Sequence, residues 1–286
     1  MFRLMLTCAL CGLAVVSAPS RFFVEILPDT GSPRSVDVTV ENGPQPDFFG
    51  KVYGKGNQLA VDSQDFPALA RTGLHSEAEL DRAQTITGRP VGEITRLAQP
   101  GGLSTGGFLA AGEAIIPVLK ADNRRVAKLG LVHRQLAEPM FHVWNLLLAE
   151  LAAGRQPWGA LTIRYQGQTV HLETSTSSVF QESIFEDEIR GTSAFTARRQ
   201  PNPEETAFLL SRYQGSELAT VLARLCSFRT GEMAPFYVAR YGFYEGHTRF
   251  RAEPLAIAFI FGLKSIQQIE AAFPGRLPVV LSGLSD

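Results

Sequence analysis

The sequence predicts an α+β fold, in which segregated small antiparallel β-sheets or hairpins pack with several helices. Two observations carry this prediction. Segments that alternate apolar and polar residues occur near the N-terminus and again after Gly154, whereas apolar residues at helical spacing occur elsewhere. The two kinds of segment do not alternate regularly, as they would in a βαβ fold. We therefore expect one α+β domain over residues 21–286, with a β-rich N-terminal subregion over 21–65.

Residues 1–20 have the layout of a signal peptide. Arg3 supplies a positive charge, residues 4–16 are almost entirely apolar, and residues 17–20 are small residues with one proline. The apolar run is shorter than the roughly 20 residues that span a bilayer. The segment predicts cleavage after Ala18 or Ser20, a secreted or periplasmic location, and no stable membrane span once it is removed.

Cleavage would leave Cys226 as the single cysteine of the mature chain, because Cys8 and Cys11 lie in the signal segment. An internal disulfide is then excluded, and leucines at helical spacing around Cys226 predict a packed core thiol. The chain has no Asn-x-Ser/Thr acceptor, which favours a bacterial protein over a eukaryotic one. Its formal net charge of −1 provides no field to attract nucleic acid.

The first half of the chain begins with β structure and continues with helices. Strands are expected at 22–27 and 36–40. A capping box of Ser76 and Glu79 predicts the start of a helix that stops near Gly88. Further helices are expected at 91–97 and 112–129, and a glycine-rich loop at 100–107 separates them. The clearest helix runs from Pro139 to Ala153. Its apolar stripe comprises Met140, Trp144, Leu147, Leu148 and Leu151. Pro139 suits the first turn of this helix and Gly154 its end.

The second half begins with a hairpin and ends with helices. Strands at 160–165 and 169–173 flank a glycine-containing turn, and helices are expected at 202–212, at 216–227 and from Ser265 to Phe273. The aromatic segment 236–244 is predicted to be a strand. Residues 255–261 are wholly apolar, which indicates burial as a strand or a helix.

The familiar catalytic signatures are weak. Gly102-Leu103-Ser104-Thr105-Gly106 matches a nucleophile elbow, but a helical stretch precedes it where a strand is required. Pro139 separates His133 and Glu138 from His142, so we expect a structural role for these residues instead of a metal site. The acidic residues Glu182, Glu186, Asp187 and Glu188 are expected to form a solvated face. No motif identifies a metal or a cofactor.

The most suggestive segment runs from Tyr237 to Thr248. In an extended strand, Glu245 and His247 would project to the same side, so that the carboxylate could orient the imidazole for acid/base catalysis. Tyr241 and Tyr244 could stack on a sugar or another flat ligand, with Thr248 as a further polar contact.

Three classes of function follow. The leading hypothesis is an exported protein that binds a small molecule or glycan near residues 241–248. The first alternative is an extracellular hydrolase that uses Glu245 and His247 as acid and base. The second alternative is a structural or assembly protein of the cell envelope. Convergence of Glu245, His247 and a further carboxylate or histidine in a cleft would favour the enzyme.

Overall fold

A computed structural model describes residues 20–28, 31–40, 74–156, 158–185 and 190–283. The predicted signal peptide lies outside this part of the chain except for Ser20. The whole segment 41–65 and the acidic residues 186–188 also lie outside it.

The main sheet has six antiparallel strands in the order β2-β1-β5-β6-β7-β8. These are β1 (Ser20–Ile26), β2 (Arg34–Val40), β5 (Gly159–Tyr165), β6 (Gln168–Glu182), β7 (Arg190–Arg198) and β8 (Ser227–Gly231), while β3 (Thr85–Ile86) and β4 (Arg89–Pro90) form a separate pair. The predicted strands 22–27 and 36–40 and the hairpin at 160–173 are confirmed. Its turn residues Gln166 and Gly167 both have positive φ, which suits a type I′ turn.

Ten helices surround this sheet in the described part of the chain. They are α1 (Glu77–Arg82), α2 (Val91–Ala98), α3 (Ile115–Lys128), α4 (His133–Ala152), α5 (Pro203–Arg212), α6 (Gly215–Leu225), α7 (Ala234–Tyr241), α8 (Pro254–Ile260), α9 (Ile266–Ala272) and α10 (Leu277–Ser282). The predicted capping boxes that begin at Ser76 and Ser265 are present, and Asn202 caps α5 as expected. The α+β class is thus confirmed.

The prediction that Pro139 opens its helix is wrong. Helix α4 begins at His133, and Pro139 lies buried in its interior. A proline at such a position costs roughly 3 kcal/mol, because it lacks an N–H and crowds the preceding turn. Burial of residues on both sides of Pro139, including Leu136, Met140 and Leu147, offsets this cost.

The prediction of a strand over 236–244 is also wrong. Residues 234–241 form α7, and Gly242 ends this helix in the left-handed conformation with φ +65°. Every residue of α7 is buried, so no polar face reveals a helical period in the sequence. The apolar segment 255–261 is likewise helical, within α8 and its C-cap.

The core lies between the sheet and α4, α7 and α8. Trp144 of α4 packs edge-on against Phe195 of β7 with ring centroids 5.0 Å apart, so its predicted packing role is confirmed. Cys226 is buried at the C-cap of α6, and burial raises the pKa of its thiol to about 11. Among the described residues, no helix combines the length and the apolar character needed to cross a membrane.

Candidate functional site

Two adjoining cavities lie along strands β6, β7 and β8. Strand register places Ser175, Ala194 and Gly231 in one row, and all three line the first cavity. The neighbouring row contains Thr196 and Arg229, which both line the second cavity. Arg229 borders both cavities. The cavities therefore follow one another along the same strands.

The first cavity has a volume of about 610 Å³, within the range of roughly 300–1,000 Å³ typical of ligand sites. Twelve of the 21 residues that line it have polar or charged side chains, although apolar atoms make up the larger part of its exposed wall. Seven hydroxyl groups belong to Ser104, Ser175, Thr176, Ser177, Thr192, Ser193 and Thr248. Glu232 and Glu245 contribute carboxyl groups, Arg229 and Arg249 guanidinium groups, and Phe108 and Phe250 aromatic rings.

Glu245 is the buried acid of the first cavity. Its side chain accepts a hydrogen bond of 2.7 Å from the Thr248 hydroxyl. Burial raises the pKa of Glu245 to about 7, although the Thr248 bond and the charge of Arg251 oppose the rise. The backbone of Glu245 has φ +65°, which is unusual for a residue with a side chain. Near neutral pH this group can therefore either donate or accept a proton.

Glu232 is the second carboxylate of this cavity and has different surroundings. One of its oxygens accepts hydrogen bonds from the backbone N–H groups of Thr192 at 3.0 Å and Ser193 at 3.2 Å. Two backbone donors favour a charged carboxylate. The first cavity thus contains two acids in unlike environments, a combination that hydrolases use.

We call residues 242–253 the cap loop, because it connects α7 to α8 and borders both cavities. Its first part is tied to α3 and α4. His133 lies between the Tyr244 hydroxyl at 3.0 Å and Asn123 Oδ1 at 3.2 Å. Burial lowers the pKa of His133 to about 3, so the ring is neutral. Asn123 Oδ1 only accepts, so His133 donates from Nε2 and accepts from Tyr244 at Nδ1.

Glu113 holds the middle of the cap loop. Its carboxylate accepts a hydrogen bond from the backbone N–H of His247 and lies 2.5 Å from Nδ1 of the same residue. Burial alone would raise the pKa of Glu113, but the N–H of Ala110 and the bonds to His247 lower it. The carboxylate that orients His247 is therefore Glu113.

A buried ionic network holds the end of the cap loop. Arg251 donates to both oxygens of Asp122 and to Glu253, and Arg125 also donates to Glu253. Burial would lower the pKa of Arg251, but the charges of Asp122 and Glu253 outweigh this effect and raise it. Two guanidinium groups and two carboxyl groups thus meet between α3 and the cap loop, where burial raises the pKa of Asp122 despite the charges of Arg251 and Arg125.

The structure separates the residues that the sequence grouped. Glu245 and Thr248 line the first cavity, whereas the exposed ring of His247 borders the second. The expected strand that would align Glu245 with His247 is absent, because this part of the chain is the cap loop. Tyr241 and Tyr244 are fully buried, Tyr241 against Phe185, so neither ring is available for stacking at the surface.

The residues of the weaker sequence motifs lie in loops, helices and ion pairs that have ordinary structural roles. Ser104 lies in a loop after α2, without the strand and helix of a nucleophile elbow, although it does border the first cavity. Glu138 and His142 form an i,i+4 pair within α4 at 3.8 Å. Glu182 lies 3.9 Å from Arg190. Among the described residues, no three or more His, Cys, Asp or Glu side chains cluster as metal ligands do.

Sequence reasoning missed much of the wall of the first cavity. Residues 175–177 and 192–193 are serines and threonines in β6 and β7, and Glu232 follows β8 directly. The available signal was the run of β-branched and hydroxyl residues at 174–177, which favours a strand with a polar surface.

No protein-family model matches this chain, and the searches of curated proteins and of solved structures likewise give no significant match.

Proposed function

We propose that this protein binds a small polyhydroxylated ligand, of the size of a mono- or disaccharide, in the first cavity. The observation that carries the proposal is the density of hydroxyl groups, together with two carboxyl groups, around a cavity of about 610 Å³. Hydroxyl side chains donate and accept, which matches the hydroxyls of a sugar, and carboxylates accept from them. Phe250 adds an apolar surface for the faces of a sugar ring.

A hydrolase acting on the same ligand is the second candidate. The unlike surroundings of Glu232 and Glu245 favour it, because glycoside hydrolysis commonly uses one protonated and one ionised carboxyl group. In this candidate mechanism Glu232 takes the catalytic role that the sequence predicted for His247, because His247 borders the second cavity. Chromatography of a bound sugar after prolonged incubation distinguishes the two functions, since a binding protein returns the sugar intact.

We also propose that the protein binds its ligand outside the cytoplasm. The signal-like residues 1–20 support this location. N-terminal sequencing of the protein expressed in a bacterium checks it: we expect the mature chain to begin at residue 19 or 21. A chain recovered only from the cytoplasm with residues 1–20 intact would contradict this part of the proposal.

Filling the first cavity should abolish binding. Gly231 borders this cavity, and a Cβ built on it meets nothing within 4 Å. Alternation along β8 places a side chain at this position on the same side as Arg229, which borders the cavity too. We expect Gly231→Leu to weaken binding of a sugar identified by a thermal-shift screen by at least about tenfold, measured by calorimetric titration.

Gly92→Leu is the matched control. Gly92 lies in α2, borders neither cavity, and also has nothing within 4 Å of a built Cβ. This variant should bind the sugar as the original protein does. Equal binding by Gly231→Leu and Gly92→Leu, with both proteins folded by circular dichroism, would place the ligand elsewhere.

A further inference from the structure

The second cavity is strongly basic. Its volume is about 650 Å³, and four arginines border it: Arg224 at the end of α6, Arg229 in β8, and Arg249 and Arg251 in the cap loop. The ring of His247 and the hydroxyls of Ser227 and Thr248 also contribute to the wall. The first cavity, in contrast, has two arginines and two carboxyl groups, whereas the second has four arginines and the carboxyl group of Glu253.

The charge of Arg251 is already balanced, whereas that of the other three arginines is not. Glu253 is the carboxylate in the wall of the second cavity, and it is bonded to Arg251 and Arg125. In the part of the chain that the structure describes, Arg224, Arg229 and Arg249 have no carboxylate within 4.0 Å. Among the described residues, three guanidinium groups from three different elements thus share one cavity without a paired carboxylate.

The positive charges of Arg229 and Arg249 also repel each other. Their guanidinium carbons lie 5.2 Å and 5.5 Å from the centroid of the same Phe250 ring. Burial, and then the charge of Arg249, lower the pKa of Arg229. Glu173 acts on Arg229 in the opposite sense, but its carboxylate is bonded to Arg198 at 3.1 Å.

Only some of the N–H groups of Arg229 donate hydrogen bonds. Its Nη2 donates to the Ser175 hydroxyl at 3.2 Å, on the side of the first cavity. Its Nε is shielded from solvent and has no hydrogen-bond partner. An anion in the second cavity would offset the repulsion between Arg229 and Arg249 and would supply acceptors for exposed guanidinium nitrogens, although not for the shielded Nε of Arg229.

We propose that the second cavity binds a tetrahedral oxyanion, the phosphate or sulfate group of a small molecule, through Arg224, Arg229 and Arg249. A tetrahedral group offers acceptor oxygens in several directions, which suits guanidinium groups that come from three elements. A carboxylate presents two oxygens in one plane, which matches one bidentate arginine. This inference does not rest on the sugar-binding proposal, although Arg229 and Arg249 border both cavities.

Calorimetric titration of the full-length protein with inorganic phosphate tests this inference. Sulfate and acetate are titrated in parallel, with sodium chloride added to keep the ionic strength constant. We expect phosphate and sulfate to bind and acetate to bind at least about tenfold more weakly. Acetate binding as tightly as phosphate would show general attraction of anions and would overturn the proposal.

Arg249→Gln and Arg224→Gln test the residues. Both side chains are exposed, so we expect folded variants, which circular dichroism checks. Loss of a charge-assisted hydrogen bond should weaken phosphate binding by about tenfold or more in each variant. Arg134→Gln is the matched control, an exposed arginine of α4 that borders neither cavity. Unchanged affinity in Arg249→Gln, or an equal loss in Arg134→Gln, would contradict the proposal.

Discussion

Replacing Asp122 with alanine should lower the free energy of unfolding by about 3–5 kcal/mol, the usual loss when one partner of a buried ion pair is removed. The Asp122 side chain is fully buried and pairs with Arg251, whose side chain is 9% exposed. The variant would leave two guanidinium groups with Glu253 alone. Urea unfolding at neutral pH measures the change, through the midpoint and the slope of the transition.

Asp81→Ala is the matched control for this prediction. Asp81 pairs with Lys120 of α3 at 2.8 Å, but its side chain is 61% exposed. An exposed pair contributes about 0–1 kcal/mol. The two substitutions thus remove the same chemical group from two ion pairs that involve the same helix. Similar losses in both variants would mean that the buried network does not stabilise the connection between α3 and the cap loop.

The second large effect concerns the pH dependence that Glu245 imposes on stability. Its pKa is 4.5 as an ordinary glutamate and about 7 in the folded protein. A raised carboxyl pKa means that the unfolded chain releases the proton first as pH rises. The contribution of Glu245 is therefore fully present below pH 4.5, declines between pH 4.5 and 7, and changes no further above that range. The loss is about 3 kcal/mol.

Glu245→Gln should remove this pH dependence, because glutamine is uncharged and can still accept the Thr248 hydrogen bond. Relative to the original protein, the variant should gain about 2.5 kcal/mol of stability between pH 5 and pH 8, because a part of the full change has already occurred at pH 5. Urea unfolding of both proteins at the two pH values measures this difference. Because it compares two proteins, the titration of His133 and His142 cancels. Glu93→Gln, at an exposed glutamate of α2, should show no such gain. If the free energy of unfolding changed with pH equally in Glu245→Gln and in the original protein, the raised pKa of Glu245 would be contradicted.

Local sequence signals predicted most of the elements. Capping boxes and turn residues identified α1, α5, α9 and the β5–β6 hairpin, because these signals depend on neighbouring residues. The prediction was wrong at α7, at the start of α4 and at the end of α1, which stops at Arg82 and not near Gly88. At α7 every residue is buried, so the helical period is hidden, and at Pro139 tertiary packing overrides a local penalty.

The candidate site was only partly predictable. Glu245 and Thr248 were identified from a polar segment between aromatic residues, and both line the first cavity. Glu113 was not identified as the partner of His247, because 134 positions separate them and no local pattern links them. Glu232 was missed for a related reason. Its environment depends on backbone groups of β7, which meet it through strand pairing.

Residues of the cap loop border both cavities. Thr248 and Arg249 are neighbours in the sequence, and both border the two cavities. A ligand that shifts either residue on entering one cavity would change the affinity of the other. Thermodynamic linkage makes such an effect reciprocal: if phosphate strengthens sugar binding by a given factor, sugar strengthens phosphate binding by the same factor. The residues shared by both walls would thus make the two cavities a coupled pair, in which each ligand reports on the presence of the other.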